Sequence, residues 1–420
     1  MGSKMFTRFF TMISLLAAGI PTLCAATFEE MNAVFGAPLW IDENLWDDPA
    51  DDVAARLGWP QESKTSTDSS FRKYPGPSEK LLGARPYSLA FFGEGEKAAR
   101  VSMMFANKGD SVGGPQVGGD ERDSRDTKKL TKSYAAAIEN DGKVISEALI
   151  ALLGPPTADR FGQGRQTRES VQRWDWQGHS ILLASPAGEY VAVRILPTAV
   201  ADSQGKARIP DADLRARLES RVLTRENGDV VLTDIPMVDQ GPKGYCVPAT
   251  WERAMRYMAI PADMYALAMA GDTGAGGGTS VSAIVGGAKE AVTRGGRRLD
   301  PENAKLSVRT IKKFIDRGLP VMWTMFSMDE INTAINARMK DRKQMTDPTL
   351  WDKTLDPTRK AAKKIATDQK SGHMCMIIGY NEKTGELAVS DSWGPEFAER
   401  WITEEEAIAV TQGPLMVINF

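Results

Sequence analysis

The most constraining stretch of this chain joins a glutamine, a glycine-rich turn and a cysteine to the start of a predicted helix. It reads Asp-Gln-Gly-Pro-Lys-Gly-Tyr-Cys-Val-Pro-Ala-Thr over residues 239–250, and a helical pattern continues to residue 258. A helix N-terminus lowers the pKa of a thiol, and the thiolate is the nucleophilic form of cysteine. A tight turn can bring the Gln240 amide beside the Cys246 sulfur, where the amide and the Cys246 backbone N–H would bind an oxyanion. The stretch predicts a nucleophile, against the alternative of a buried structural cysteine.

A nucleophilic thiolate needs a base and a group that orients the base, and the chain has only two histidines. His373 opens an apolar run over residues 373–380 that predicts a strand buried on both faces. After a turn, a second strand over 386–390 leads into Asp391-Ser392-Trp393-Gly394. This hairpin brings Asp391 near His373, where a carboxylate can fix the imidazole tautomer. Each residue alone has a purely structural alternative, but Cys, His and Asp in this order favour a catalytic set.

Gln240, Cys246, His373 and the Asp391-Ser392-Trp393-Gly394 run resemble the papain-like cysteine peptidases, in particular the bacterial branch similar to bacteriocin-leader-processing peptidases. The resemblance covers residues 235–420. It implies an α+β fold with a central helix packed on an antiparallel sheet, Cys246 as nucleophile, His373 as base and acid, Asp391 as its orienting group and Gln240 as oxyanion donor. Asp391 stands where papain itself has asparagine, and the papain Cys-Gly-Ser-Cys-Trp context is missing.

The resemblance also implies where a substrate would bind. Trp393 would shield the His–Asp contact from water, and a glycine-rich segment would line the cleft. The residues expected at the substrate are Gly244, Tyr245, Gly276, Gly277, Gly278 and Trp393. A plain flexible connector is the alternative for the glycine-rich segment, and it is not a nucleotide loop because it lacks the P-loop lysine.

Composition and charge exclude several other classes of function. A net charge of −3 gives no reason to expect nucleic acid as a partner. Two histidines in separate segments do not make a zinc site, and the proposed chemistry needs no cofactor. Cys375 lies two positions after His373 on the same, core-facing side of the predicted strand and is interpreted as a small buried hydrophobe. A disulfide with Cys246 is the alternative, and it would abolish the nucleophile.

Residues 1–25 have the layout of a secretory signal peptide. Lys4 and Arg8 precede an apolar run that ends in small residues, and the run is too short for a comfortable membrane span. We therefore expect an exported protein, periplasmic or extracellular, with no membrane span in the mature chain; an uncleaved anchor is the alternative.

Residues 27–205 predict an accessory α+β domain made of two repeats, 27–106 and 128–200. In each, a helix with a Leu-Gly-x-Pro stop, at Leu57 and at Leu153, precedes a β-meander. We expect the two small sheets to bury faces against each other, with a mobile loop over 107–127 between them. This region is strand-rich, so an accessory role is favoured over an inhibitory propeptide, and a fragment beginning near Asp211 is expected to retain activity.

Residues 206–234 predict a linker made of a helix and a hairpin with a type I′ turn at Asn227-Gly228. The charged stretch over 327–370 is interpreted as a helical insertion with a solvated face. The function that fits best is a secreted cysteine peptidase acting on a peptide or protein. An acyltransferase of transglutaminase type and a catalytically silent peptide-binding module of papain-like fold are the alternatives.

Overall fold

The computed structural model describes residues 26–110, 124–206, 208–275 and 278–420, with side chains of the helix at 124 described from residue 131 onward. The predicted signal peptide and most of the predicted loop over 107–127 lie outside the described residues. The fold mixes helices and sheets, as predicted, and contains two eight-stranded sheets within the described part of the chain.

The N-terminal domain is built on one antiparallel sheet with the strand order β1-β2-β3-β4-β8-β7-β6-β5. The strands are β1 (Gln61–Lys64), β2 (Asp68–Lys73), β3 (Ser88–Glu94), β4 (Lys97–Asn107), β5 (Thr157–Phe161), β6 (Glu169–Trp176), β7 (His179–Ala184) and β8 (Tyr190–Pro197). Two four-stranded meanders meet where β4 pairs with β8, with Val101 opposite Ile195. The expectation of two sheets stacked face to face is wrong, because the last strands of the meanders hydrogen-bond edge to edge.

Helices cover one face of this sheet. They are α1 (Phe28–Phe35), α2 (Ala50–Leu57) and α3 (Ser124–Leu153), and a short α4 (Thr198–Asp202) follows β8. Gly58 ends α2 with φ 65°, a left-handed conformation that glycine adopts at little cost. Val53 of α2 and Ile145 of α3 share one core with Phe91 and Val193 of the sheet. The two helices differ greatly in length, so each meander has a helix but the halves are not copies in detail.

The C-terminal domain has a sheet with the order β11-β16-β12-β13-β10-β9, and β14 and β15 continue from β13. Its strands are β9 (Val222–Thr224), β10 (Val230–Leu232), β11 (Arg298–Glu302), β12 (Val321–Phe326), β13 (Gly372–Asn381), β14 (Glu386–Ser390), β15 (Arg400–Thr403) and β16 (Leu415–Asn419). Its helices are α5 (Asp211–Ser220), α6 (Cys246–Tyr257), α7 (Met264–Ala270), α8 (Val281–Arg294), α9 (Val308–Ile315), α10 (Asp329–Arg342), α11 (Pro348–Thr354), α12 (Asp356–Ala362) and α13 (Glu404–Val410). Trp251 and Met255 of α6 lie in one core with Trp323 of β12 and Ile377 of β13.

Three expectations about this domain need correction. The hairpin of β9 and β10 pairs with β13, so it belongs to the sheet and is not a linker. Its turn is not type I′, because Gly228 has a positive φ and Asn227 does not. The helical insertion between β12 and β13 is not only a solvated face, since Arg342 of α10 is buried and forms ion pairs with Asp229 and Glu386.

The two domains share a third apolar core. The free face of the N-terminal sheet contributes Met104, Leu182 and Ala192, and Ala249 of α6 with Met264 of α7 lie against them. Side chains alternate between the faces of a strand, so β4, β7 and β8 bury one set under the helices and the other under the C-terminal domain. Among the described residues, no helix is long and apolar enough to span a membrane.

Candidate active site

Cys246 is the first residue of α6, and the residue as a whole is half-buried. Pro248 fits in the first turn because the N–H that proline lacks has no helical partner there. The sulfur therefore lies at the positive end of a helix dipole. This is where the sequence predicts a nucleophile.

His373 and Asp391 lie at one end of a strand pair. β14 ends at Ser390, which pairs with Met376 of β13, so the chain leaves the sheet at Asp391 beside the part of β13 that carries His373. His373 Nε2 lies 2.7 Å from Asp391 Oδ1, and both side chains are buried. The second ring nitrogen, Nδ1, is thereby left for the Cys246 sulfur.

The three groups shift one another's pKa values. Burial lowers the pKa of His373, but hydrogen bonds to Asp391 and Cys246 outweigh it and raise the pKa to about 9. Burial raises the pKa of the Cys246 thiol, yet the hydrogen bond and charge of His373 leave it below its ordinary value. For Asp391, burial is outweighed by His373 and Arg400, so its pKa is lowered. The arrangement favours a thiolate–imidazolium pair held by a carboxylate.

Gln240 is buried ahead of α6. Its backbone N–H donates to the Ser392 carbonyl at 2.9 Å, which ties it to the segment that follows Asp391. One amide hydrogen on its Nε2 is donated to the Lys243 carbonyl at 3.0 Å, and its Oε1 has no partner among the described residues. The second amide hydrogen remains for another acceptor.

Trp393 packs on the histidine. Its ring stacks on His373 with centroids 4.6 Å apart and planes at 30°, and Phe397 meets it edge-on at 5.5 Å. The indole therefore covers one face of the imidazole, as the shielding role requires.

The predicted substrate-contacting residues have different positions. Gly244 and Gly278 lie side by side, since the Gly278 N–H donates to the Gly244 carbonyl at 3.3 Å. Gly276 and Gly277 lie outside the described residues. The Tyr245 ring is 3% exposed and meets Tyr265 edge-on in the core between the domains. The Tyr245 side chain is therefore packed between the domains, which leaves only its backbone for the predicted contact with a substrate.

Two arginines that the sequence analysis did not single out support the site. Arg400 of β15 donates to Asp391 Oδ2 from Nε and Nη2. Arg253 of α6 is fully buried and bonds Ser390 and Ser392, which fixes the segment around Asp391 to the cysteine helix. No local sequence motif identifies either arginine. The one available signal is that a buried carboxylate such as Asp391 needs a positively charged partner.

The remaining cysteine and histidine stand apart from this chemistry. Cys375 is fully buried, and burial raises its pKa well above the ordinary value. His179 is buried among tryptophans in the N-terminal domain. In the described ranges, no three His, Cys, Asp or Glu side chains are grouped as a metal site would require.

Residues 232–410 match the model of the Peptidase_C39 like family. The C-terminal part of the chain therefore carries a C39-like domain. The match covers Gln240, Cys246, His373 and Asp391 and confirms the resemblance to papain-like cysteine peptidases found in the sequence. It covers less than half of the chain and leaves out the N-terminal sheet. No curated protein matches the chain.

Proposed function

We propose that the C39-like domain is a cysteine peptidase that hydrolyses peptide bonds through Cys246, His373 and Asp391. The observation that carries the proposal is the buried His373–Asp391 pair beside a half-buried cysteine at a helix N-terminus. A chain that used Cys246 only for packing would gain nothing from a lowered thiol pKa and an imidazole whose pKa is raised to about 9.

The reaction follows from these positions. The Cys246 thiolate attacks the carbonyl carbon of the scissile bond, and the negative charge moves to the carbonyl oxygen. The free amide hydrogen of Gln240 and the Cys246 backbone N–H would bind this oxyanion. The His373 imidazolium then gives its Nδ1 proton to the leaving amine as the C–N bond breaks. Asp391 stabilises the imidazolium, and His373 next activates the water that hydrolyses the thioester.

The proposal includes export, which rests on the signal-peptide pattern of residues 1–25. N-terminal sequencing of the protein recovered from outside the cytoplasm tests this part separately. A mature chain that begins after about residue 25 is expected, and a full-length chain in the cytoplasm would contradict export without affecting the chemistry.

Two thiol variants test the activity. Iodoacetamide should alkylate Cys246 at neutral pH and leave the buried Cys375 unmodified, as read by peptide mass mapping. Casein hydrolysis should be lost in Cys246→Ala and retained in Cys375→Ala, with similar melting temperatures. Undiminished hydrolysis in Cys246→Ala contradicts the proposal. Alkylation of Cys246 without turnover of any peptide would instead favour the binding-module alternative, and amide transfer to an added amine would favour the acyltransferase.

A further inference from the structure

Lys243, three residues before Cys246, has its ammonium group buried between the two domains. Its side chain is 1% exposed, and Nζ lies 3.2 Å from Oδ1 of Asp110. The rings of Tyr74, Tyr245 and Tyr265 surround the ammonium at 5.1, 5.8 and 5.2 Å. A buried charge is costly unless it is paired, so Asp110 and these rings fix the position of Lys243.

Asp110 and Tyr74 belong to the N-terminal domain, and Asp110 is itself held in place. Its backbone N–H donates to Asn107 Oδ1 at 2.8 Å, and its Oδ2 accepts from Asn107 Nδ2 at 3.0 Å. The Tyr265 hydroxyl reaches the same oxygen at 3.4 Å. The counter-ion of Lys243 is therefore positioned by three hydrogen bonds just after the end of β4.

The backbone of Lys243 orients Gln240. The Lys243 carbonyl accepts from Gln240 Nε2 at 3.0 Å and from the Tyr245 N–H at 2.8 Å. The residue whose side chain is anchored in the N-terminal domain is thus the residue whose carbonyl directs the Gln240 amide. A shift of Lys243 would turn that amide.

The other end of the 240–246 loop is anchored in the same domain. The Tyr74 hydroxyl donates to the Asp239 carbonyl at 2.6 Å, and the Asp239 N–H donates to Glu62 Oε1 at 2.8 Å. A Cβ at Gly241, where φ is 66°, would lie 2.8 Å from the Tyr74 ring. Only glycine fits this approach without strain.

We infer that Asp110 and Tyr74 are positioning residues for the oxyanion donor, so that the N-terminal domain completes the site of the C39-like domain. Asp110 acts through Lys243 on the Gln240 amide, and Tyr74 acts on the backbone of the same loop. The inference rests on the proposed function, because it assigns Gln240 a role in the acyl-transfer step.

Two reactions of the full-length protein separate this role from general stability. Acylation by p-nitrophenyl acetate forms a thioester at Cys246 and releases p-nitrophenolate, and it passes through an oxyanion. Alkylation by iodoacetamide forms a C–S bond and releases iodide, with no oxyanion. Asp110→Asn should slow acylation about 10- to 100-fold, the scale of a small misplacement in an active site, and leave the alkylation rate within about twofold. Tyr74→Phe, which keeps the ring, should slow acylation less.

The matched control is Asp229→Asn. Asp229 is a buried carboxylate paired with Arg342 at the far end of β13 from His373, so its loss should lower the melting temperature without slowing acylation. Asp110→Asn leaves the buried Lys243 without its counter-ion and could unfold the protein. In that case the double variant Asp110→Asn/Lys243→Met replaces it in the acylation assay. It removes both charges and should also slow acylation.

A double-mutant cycle with Gln240→Ala tests whether Asp110 acts on acylation through the Gln240 amide. In that background Asp110→Asn should change acylation by no more than about twofold, because the group it positions is gone. Wild-type acylation rates in folded Asp110→Asn, or an equal loss with and without Gln240, would overturn the inference. An equal loss in alkylation would also overturn it, since the effect would then act on the thiolate. If the wild type acylates no faster than Cys246→Ala, the proposed function fails, and the inference with it.

Discussion

Arg400 donates two hydrogen bonds to one oxygen of Asp391, at 3.1 Å from Nε and 2.5 Å from Nη2, while the other oxygen pairs with His373. Its Nη1 contacts Asn332 and Asn336 of α10, each at 3.1 Å. The helical insertion between β12 and β13 therefore positions Arg400, and Arg400 in turn positions Asp391. This arrangement balances the charge of a carboxylate that is fully buried.

Replacing Arg400 should change the titration of the site. In Arg400→Met, a cation is lost near His373 and Cys246, so the pKa values of both groups should rise. At a separation of several ångströms and an effective dielectric constant near 20, the shift is on the order of one pH unit. The pH dependence of iodoacetamide alkylation measures it. Arg400→Lys keeps the charge and is the control; an unshifted profile in Arg400→Met would show that Arg400 has no electrostatic role.

The proposed thiolate–imidazolium pair predicts different pH profiles for two reactions. Peptide hydrolysis should rise as Cys246 loses its proton, below the ordinary thiol pKa, and fall above about pH 9 as His373 loses the proton that the leaving amine needs. Alkylation should show the first step and no fall, because the thiolate remains. Casein hydrolysis and iodoacetamide rates between pH 5 and 11 make the comparison. A parallel decline of both reactions above pH 9 would point to unfolding.

Local sequence was sufficient to locate the candidate site. A cysteine after a glycine-rich turn and before a helical pattern predicted the start of α6, and an apolar run followed by a short turn predicted the hairpin of β13 and β14. These features depend on neighbours within about twenty residues, as helix caps and hairpins do. The place of Cys246 at the start of α6 and the closeness of His373 to Asp391 follow from them.

What the sequence analysis missed depends on contacts between distant segments. The pairing of β4 with β8 joins strands separated by the whole of α3, and no local pattern selects an edge partner. Arg400 and Asp110 look like ordinary charged residues until folding buries them. One signal was present: the run over 190–196 is apolar at nearly every position, which indicates a strand covered on both faces, yet the helices can cover only one. A second covering layer was therefore to be expected.

His179 should make the protein sensitive to acid. Its ring is fully buried near Trp40, Trp46 and Trp176, neither ring nitrogen has a partner among the described residues, and burial lowers its pKa to about 4. The unfolded chain binds this proton near pH 6.5, so the free energy of unfolding should fall as the pH drops from about 6.5 to about 4, by at most about 3 kcal/mol.

Urea unfolding of the wild type and His179→Phe at pH 7.5, 5.5 and 4.5 measures this contribution. Carboxylates also titrate in this range, so the informative quantity is the difference between the two proteins. The variant should gain stability relative to the wild type as the pH falls. A difference that stays constant with pH would mean that His179 has a polar partner in solution.

Separating the domains should impair the C39-like domain, contrary to the expectation drawn from the sequence. A fragment of residues 211–420 would expose apolar side chains that the N-terminal sheet covers, including Val238, Met264 and Tyr265, and would leave Lys243 without Asp110. We expect it to aggregate, or to be acylated by p-nitrophenyl acetate at least about 100-fold more slowly than residues 26–420. Adding residues 26–206 in trans should restore part of the rate.

The control is the chain cut after Arg208, whose halves should stay associated through the shared core and react at the uncut rate. A soluble fragment as fast as residues 26–420 would show that the N-terminal domain is a removable module, and a faster one would make it an inhibitor.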